Sequence, residues 1–261
     1  MNEVSFTSDL FYIQLKGDVS GEFLYGRSTY DYQEGTLLFM GPRQMATFNR
    51  GNEAVKTSGW TLLFHPDLIR KSPLGRVINN FSYFNYNINE ALHVSEKERK
   101  FINTVVESLE SEILQNTDKH SQGLIVNLLE TILNYSNRFY DRQFYNRSNL
   151  NKDHVTRFKV FLNEHFSDQS TRKKIPTLTE CGEALQMSGP YLSDLLRVET
   201  GKSAKEHIYD HLIGEAKTSL AFSTKTISEI AYDLGFEYPQ HFSKLFKLKT
   251  GMTPTKYRNL N

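Results

Sequence analysis

The chain has 261 residues, and its 31 Lys and Arg against 30 Asp and Glu leave a formal net charge of +1. Because the net charge is close to zero, it does not by itself indicate a polyanionic partner such as a nucleic acid. A single cysteine excludes an internal disulfide framework and favours a reducing compartment. The polar N-terminus is not typical of a signal peptide, and no apolar run approaches the ~18 residues of a membrane span. We therefore expect a cytoplasmic protein without a membrane segment.

The charge is unevenly distributed along the chain. Residues 1–150 carry 15 basic and 17 acidic side chains, a balance of −2, whereas residues 151–261 carry 16 and 13, a balance of +3. Five of the eight His also lie in the second part. A length of roughly 150 residues per domain predicts one or two domains. The difference between the two parts favours two.

Short β-rich runs separated by Gly-containing turns occupy the chain from Leu10 to Tyr86, which is typical of a small sandwich or barrel. One helix is expected to interrupt them, because Pro66 occupies a first helical position before an apolar, periodic run. The predicted strands are Leu10–Leu15, Phe23–Tyr25, Thr36–Met40, Ala46–Phe48, Trp60–Phe64 and Phe81–Tyr86.

Helical periodicity begins after Val94, where Ser95 and Glu98 have the spacing of a capping box. Two amphipathic helices follow, and their apolar stripes must be buried. The stripes either pack on the sheet or form a homodimer interface, and the sequence leaves both interpretations open. They consist of Ile102, Val105, Val106, Leu109 and Ile113, and of Leu124, Ile125, Leu128, Leu129, Ile132, Leu133 and Tyr135.

Residues 141–153 are polar and poor in aliphatic side chains, which is typical of a linker. We predict an N-terminal domain at 1–145, a linker at 146–154 and a C-terminal domain at 155–261. The C-terminal domain shows helical periodicity throughout. Two of its segments, at about 176–201 and 226–251, resemble each other, each with a short helix, a turn, a longer helix and a Thr-Gly stop. This pattern predicts a duplicated helix-turn-helix.

Common enzyme signatures are absent from the sequence, including GxGxxG, GxxxxGK[ST], GxSxG and HExxH. A metal-dependent enzyme in the β-rich part would need converging His, but only His65 and His93 occur before Val94. Cys181 lies in an apolar pattern that favours core packing over a reactive thiol. We therefore expect no cofactor, no metal and no enzymatic activity.

The longer helix of the second repeat combines an apolar face with a polar and basic one. Phe242, Leu245 and Phe246 form the apolar face, and the chain beyond Glu237 contains five basic residues and no acidic one. Small polar donors suit base edges in a major groove, and Lys suits phosphates. A helix from Ala204 to about Leu220 would separate the repeats by ~25 Å. With some DNA bending, two recognition helices could then enter successive major grooves ~34 Å apart.

The segment ISEIAYDLGFEYPQHFSKLFKLKTGMTPTKYR resembles the signature of the AraC/XylS transcription regulators, and MSGPYLSDLLRVETGKSAKEHI resembles their first helix-turn-helix. The segments YGRSTYDYQEGTLLF and GWTLLFHPDLI are similar to the cupin-type sensor half of such regulators, especially those of Bacteroidetes. Sensor halves of this type have some tens of residues before the segment that begins here at Phe6, so the resemblance implies a barrel without its first strands.

The resemblance implies DNA-binding residues in both repeats, namely Ser188, Pro190, Tyr191, Ser193, Asp194, Arg197, Tyr238, Pro239, Gln240, His241, Ser243, Lys244 and Lys247. Three residues depart from the family pattern. Asp194 stands where a basic residue is frequent, Gly182 replaces a usual Ala and weakens its helix by ~1 kcal/mol, and Leu212 replaces a frequent Arg. We expect the first repeat to contribute less to DNA affinity than the second.

We therefore predict an α+β two-domain protein, with a cupin-like β-barrel or sandwich and two interface helices followed by an all-α domain with two helix-turn-helix units. Its predicted function is that of an effector-controlled transcription regulator and activator. The predicted partners are double-stranded promoter DNA, a small-molecule effector, a second copy in a homodimer and RNA polymerase. The alternatives are a cupin-type enzyme with an accessory DNA-binding domain and a protein-interaction module. Candidate effector-binding residues are Tyr12, Gln14, Tyr25, Arg27 and Trp60.

Overall fold

A computed structural model describes residues 2–16, 24–25, 28–29, 35–44, 46–50, 59–87, 90–116, 118–146, 148–167 and 174–259. The chain divides into two compact units, Met1–Asn146 and Arg147–Asn261. The described part is mostly helical and contains a small antiparallel sheet. None of its helices is long and apolar enough to cross a membrane.

The N-terminal unit contains short antiparallel strands. The strands are β1 Asn2–Phe6, β2 Phe11–Lys16, β3 Leu24–Tyr25, β4 Ser28–Thr29, β5 Thr36–Met40, β6 Ala46–Arg50, β7 Gly59–Phe64 and β8 Leu92–His93. Four of them form a sheet with the order β7-β2-β5-β8, while β1 pairs with β6 and β3 pairs with β4.

Strand β2 shows how the sheet acquires two unlike faces, since successive side chains of a strand point to opposite sides. Phe11, Ile13 and Leu15 are buried, whereas Tyr12 and Gln14 between them are half-buried. The buried face continues into an aromatic cluster, in which the Phe11 ring packs against Phe64 and Phe84 at 4.9 Å. Strand β5, in contrast, is buried on both faces, because all of its residues from Thr36 to Met40 are buried.

The segment after β7 differs from the prediction in two respects. The single predicted helix is two short ones, α1 Pro66–Ile69 and α2 Pro73–Val77, because Pro73 lacks an amide hydrogen and begins a new helix capped by Ser72. The strand predicted at Phe81–Tyr86 is wrong, since Ser82–Asn85 is a 3₁₀ turn. Its aromatic rings are buried in the core instead of pairing in a sheet.

Two long helices, α3 Glu96–Leu114 and α4 Ser121–Asn146, complete the N-terminal unit and pack against each other. The predicted capping box is confirmed, because Ser95 accepts from the Glu98 amide and Glu98 accepts from the Ser95 amide. Helix α4 is fixed to the region around the sheet: the Tyr83 hydroxyl donates to the Leu133 carbonyl at 2.8 Å. Packing within the N-terminal unit therefore buries many of the residues in the two apolar stripes.

The C-terminal unit is helical throughout its described residues. Residues 146–154, predicted as a linker, are the end of α4 and the start of the next helix, apart from residue 147, which lies outside the described residues. Its helices are α5 Ser148–Ser167, α6 Leu178–Ala184, α7 Gly189–Thr200, α8 Ala204–Phe222, α9 Ile227–Asp233, α10 Pro239–Thr250 and α11 Pro254–Arg258.

Candidate nucleic-acid interface

The two repeats predicted in the C-terminal unit are present as α6–α7 and α9–α10. Both short helices begin with a capping box, formed by Thr177 and Glu180 in α6 and by Thr226 and Glu229 in α9. These hydrogen bonds lower the pKa of the two Glu side chains below the usual range. A capping box satisfies amide hydrogens that would otherwise lack a partner at the helix start. Local sequence therefore determines where both short helices begin.

The longer helices of the repeats end in the same way. Gly201 after α7 and Gly251 after α10 have φ values of 75° and 81°, and their amides donate to the carbonyls of Arg197 and Lys247. A left-handed residue at this position stops a helix, and glycine adopts it without steric cost. The Thr-Gly stops predicted from the sequence are thus confirmed.

A close backbone approach joins the two helices of the first repeat. A Cβ atom on Gly182 would lie 2.6 Å from the Gly189 nitrogen and 2.6 Å from the Met187 carbonyl oxygen. The expectation that Gly182 simply weakens α6 is therefore incomplete, because the absence of a side chain lets α6 pack against the start of α7. Gly189 is equally constrained, since its Cβ would lie 2.5 Å from the Leu178 carbonyl oxygen.

Helix α8 connects the repeats as one continuous element of 19 residues, which corresponds to about 28 Å. Near its start, the Asp210 carboxylate accepts hydrogen bonds from the ammonium groups of Lys202 at 2.7 Å and Lys249 at 2.9 Å. Burial opposes ionisation of Asp210, but the two lysines lower its pKa overall. Lys249 lies near the end of α10, so Asp210 connects the second repeat to α8.

Sequence reasoning missed this connection, although a signal was present. Lys202 and Asp210 are separated by eight positions, and so are Lys225 and Asp233, whose side chains also form an ion pair at 2.7 Å. In each pair the lysine precedes the Ser or Thr cap of a helix, and the aspartate lies within that helix or at its end. The repeated spacing at the start of α8 and of α9 would have identified both ion pairs.

Helix α10 presents a polar face opposite a buried one. Phe242 and Phe246 are completely buried, whereas Gln240, His241 and Lys244 are exposed. Within the part of the chain that the structure describes, Lys244 and Lys247 form no ion pair. Tyr238 precedes the helix and provides no side-chain cap, Pro239 has no amide hydrogen, and the His241 amide donates to the Tyr238 carbonyl at 3.0 Å. The remaining residues predicted here, Pro239 and Ser243, are half-buried.

Helix α7 presents a different surface at the corresponding positions. Tyr191, predicted to bind DNA, is only 8% exposed and packs in the domain, so its side chain is removed from the predicted DNA-binding face. Asp194 pairs with Arg197 at 3.0 Å, and the Ser188 hydroxyl caps the helix by accepting from the Tyr191 amide. Pro190 and Ser193 are half-buried. The first repeat therefore offers less free positive charge than the second.

Of the predicted effector-binding residues that the structure describes, Trp60 lies on the face of the sheet opposite to that of Tyr12 and Gln14. Tyr12 and Gln14 lie on one face of β2, and the Gln14 amide donates to the Thr61 hydroxyl at 3.3 Å. Trp60 of β7 lies directly opposite Leu15 of β2, so the Trp60 side chain is on the same face as Leu15 and on the other face from Tyr12 and Gln14. Its indole donates to the Asn103 side chain of α3 at 2.9 Å. The side chain of Tyr25 and all of Arg27 lie outside the described residues.

Histidines packed in the C-terminal unit make its stability sensitive to pH. His207 and His211 are partly buried, which lowers the pKa of both below the ordinary 6.5. The His211 ring stacks on Phe166 at 5.0 Å, and its buried Nε2 has no hydrogen-bond partner. A proton on His211 would therefore be unfavourable in the folded state.

We expect the free energy of unfolding to decrease as the pH falls from about 7 through 6.5 toward the lower folded pKa values. The unfolded state then binds more protons than the folded state, so acidification favours unfolding. Glu180 and Glu229 stay ionised in this window because their pKa is lowered. Urea unfolding at pH 7 and 5.5 measures the change. In His211→Gln, the difference between the unfolding free energies at pH 7 and pH 5.5 is expected to be smaller. The same difference as in the wild type would contradict the role of His211.

Residues 181–260 match the family model described as a helix-turn-helix domain. The chain is 28% identical over 155 residues to the uncharacterized HTH-type transcriptional regulator YfiF of Bacillus subtilis, covering 59% of this chain and 45% of the relative. It is 30% identical over 100 residues to YobQ of the same organism, an uncharacterized HTH-type transcriptional regulator, covering 38% and 39%. The chain thus spans less than half the length of both relatives.

Among solved structures, the chain is similar to the C-terminal domain of AraT, a response regulator from Geobacillus stearothermophilus. The two are 29% identical, and the match covers 41% of this chain and 85% of that one with a TM-score of 0.37. The family match covers both repeats apart from the start of α6, and it agrees with the resemblance to AraC/XylS regulators. Residues 181–260 of the C-terminal unit therefore match a helix-turn-helix domain.

Proposed function

We propose that the chain is a sequence-specific DNA-binding transcription regulator that contacts promoter DNA mainly through α10. The observation that carries this proposal is the exposed face of α10, where Gln240, His241 and Lys244 lie opposite a completely buried aromatic pair. Exposed amide and imidazole groups can read base edges in a major groove, and lysine can neutralise phosphates. Helix α7 would contribute less, because Asp194 neutralises Arg197.

The N-terminal unit would regulate this activity. Under this proposal, a cupin-like sensor of the type found in Bacteroidetes regulators binds a small effector and shifts the DNA-binding domain between states. The chain itself would have no enzymatic role, would act in the cytoplasm and would activate transcription through RNA polymerase. The resemblance of the strand-rich segments to sensor halves supports this part of the proposal.

We also propose that the chain forms a homodimer through the end of α3 and the start of α4. Ile113, Leu114 and Leu124 are 54%, 78% and 47% exposed there, unlike the buried residues of the same helices. Exposed apolar side chains in one region are typical of an interaction surface. Sedimentation of the full chain checks this point, and a monomer at all concentrations would contradict it.

Single substitutions on α10 are expected to weaken DNA binding without unfolding the protein. We expect Gln240→Ala and Lys244→Ala each to cost about 1–3 kcal/mol of specific binding free energy. Lys244→Ala should also make the slope of log binding constant against log salt concentration shallower, by the amount that one phosphate contact contributes. Gln240→Ala should instead weaken the discrimination between bases at one position of the duplex. Fluorescence anisotropy with a duplex selected by the wild-type chain from random sequence measures both effects.

A matched control for these variants is Lys97→Ala, which removes one exposed positive charge at the start of α3, away from the proposed dimer surface. This variant should retain wild-type affinity and salt dependence. If Gln240→Ala and Lys244→Ala also retain wild-type affinity, the face of α10 is not the DNA-binding surface. If the wild-type chain selects no duplex, the proposed function is itself refuted.

A further inference from the structure

A cavity of about 840 Å³ lies within the C-terminal unit, between its two helix-turn-helix repeats. One side is formed by the segment that leads into α6, and the other by the turn between α9 and α10. Tyr209 of α8 lines the cavity between them. Sites for small molecules in proteins are typically concave and have volumes of about 300–1,000 Å³. The size and position of this cavity thus suit a small molecule that touches both repeats.

Aromatic side chains form part of the walls of this cavity. Tyr209, Tyr232, Phe236 and Tyr238 all line it. Tyr232 and Tyr238 are 45% and 56% exposed, so much of their surface has no protein contact. Tyrosine rings provide large flat surfaces at low entropic cost, and they bind other flat rings by stacked or edge-on contact. The walls therefore favour a planar aromatic ligand over a flexible aliphatic one.

The two sides of the cavity contribute opposite charges. Lys174 comes from the segment that leads into α6 and Glu237 from the turn between α9 and α10, and both are exposed. Neither forms an ion pair with any residue that the structure describes. The ammonium group of Lys205 adds positive charge nearby, at 5.6 Å from the Tyr209 ring centroid. A ligand carboxylate would pair with Lys174, and a hydroxyl or amino group on the same ligand would donate to Glu237.

We propose that this cavity binds a planar aromatic carboxylate that also carries a hydrogen-bond donor, and that this ligand competes with DNA. The competition rests on the proposed function of α10. Tyr238 and His241 belong both to the cavity wall and to the predicted DNA-binding face, and their rings are in edge contact at 5.4 Å. A ligand held against this pair changes the surface that meets the duplex. The helix-turn-helix domain would thereby sense a metabolite independently of the N-terminal unit.

The experiment uses the full chain and hydroxynaphthoate, a fluorescent bicyclic carboxylate with a hydroxyl group. Titration calorimetry measures its binding, and the same titration is repeated with naphthoate and naphthol, each of which lacks one of the two polar groups. We expect Lys174→Ala to weaken hydroxynaphthoate and naphthoate about tenfold and to leave naphthol unchanged. We expect Glu237→Ala to weaken hydroxynaphthoate and naphthol and to leave naphthoate unchanged. Both substituted side chains are exposed, so the fold is retained.

The matched control is Lys159→Ala, which removes an exposed lysine of α5 outside the cavity. It should bind all three compounds like the wild type. In a separate measurement, saturating hydroxynaphthoate should raise the apparent Kd of the wild-type chain for its selected duplex at least tenfold, but it should have a smaller effect on Lys174→Ala.

The outcomes separate this inference from the proposed function. If the chain binds DNA but not hydroxynaphthoate at millimolar concentration, the cavity is not a site for this class of ligand, and the proposed function still holds. Equal effects of both variants on all three compounds would also overturn the assignment of the two charges. If hydroxynaphthoate binds with the expected pattern but no duplex is recognised, the cavity site is supported and the proposed function fails. Binding without displacement of DNA would overturn the competition.

Discussion

Replacing Gly182 by Ala is expected to destabilise the C-terminal unit by about 3 kcal/mol. Helix propensity alone predicts the opposite, because alanine is favoured over glycine inside a helix by about 1 kcal/mol. The structure predicts a loss of stability instead of a gain, since a Cβ at Gly182 would lie 2.6 Å from backbone atoms of both Met187 and Gly189. Backbone atoms cannot rotate away as a flexible side chain can. The short helix α6 would have to move away from α7 and expose part of the core.

Urea unfolding followed by helical circular dichroism measures this effect, and the chain provides a matched control. Gly214 lies within α8, and a Cβ there would meet nothing within 4 Å. Gly214→Ala should therefore stabilise the unit by about 0.5–1 kcal/mol, as helix propensity predicts. Stabilisation by both substitutions would contradict the close approach of α6 and α7.

Replacing Phe242 by Ala is expected to cost about 3–5 kcal/mol of unfolding free energy and to abolish DNA binding. The Phe242 ring is completely buried and packs against Phe236 at 5.5 Å and Phe246 at 5.8 Å between centroids. Its removal leaves a cavity in the core that the surrounding rings fill only in part. Helix α10 would then lose the packing that holds its polar face in place.

Gln240→Ala is the matched variant for this comparison, because it changes the exposed face of the same helix. Its unfolding free energy should stay within about 0.5 kcal/mol of the wild type, while DNA affinity falls. The two variants thus distinguish an effect on the stability of the fold from the loss of a direct contact with DNA. Wild-type stability in Phe242→Ala would show that this ring is not a central part of the core.

Local chemistry explains why much of the C-terminal unit could be predicted from the sequence. Helix starts at Thr177 and Thr226 and helix ends at Gly201 and Gly251 depend on residues within a few positions. Hydrophobic periodicity placed Phe242 on the buried face of α10 and Gln240 on the exposed one. Such features require no knowledge of distant contacts.

Predictions that depended on distant contacts succeeded less often. The Trp60 indole donates to Asn103, which lies 43 positions away in the chain, and no local pattern indicated this contact. Phe81–Tyr86 has strand-forming composition, but Tyr83 hydrogen-bonds to α4 and its ring is buried. Tertiary packing overrode local preference in these cases.

Composition alone could not decide two further features of the chain. The polar residues 146–154 fit an exposed helix as well as a linker. Tyr191 occupies the position in α7 that corresponds to His241 in α10, about 50 residues later, but Tyr191 is buried and His241 is exposed. The two repeats share the same order of helices and turns. Which residues of each longer helix are exposed depends on which side chains pack in the core.

The single continuous helix α8 restricts how this domain can change in evolution. Each residue inserted into an α-helix adds 1.5 Å and rotates everything that follows by about 100°. One extra residue in α8 after Asp210 would therefore rotate the second repeat relative to the first, and it would separate Asp210 from Lys249. About seven extra residues would nearly restore the rotation but lengthen the rod by about 10.5 Å. The length of α8 can therefore vary only by nearly whole numbers of turns, such as about seven or eleven residues, and under the proposed function each such change would demand a differently spaced operator.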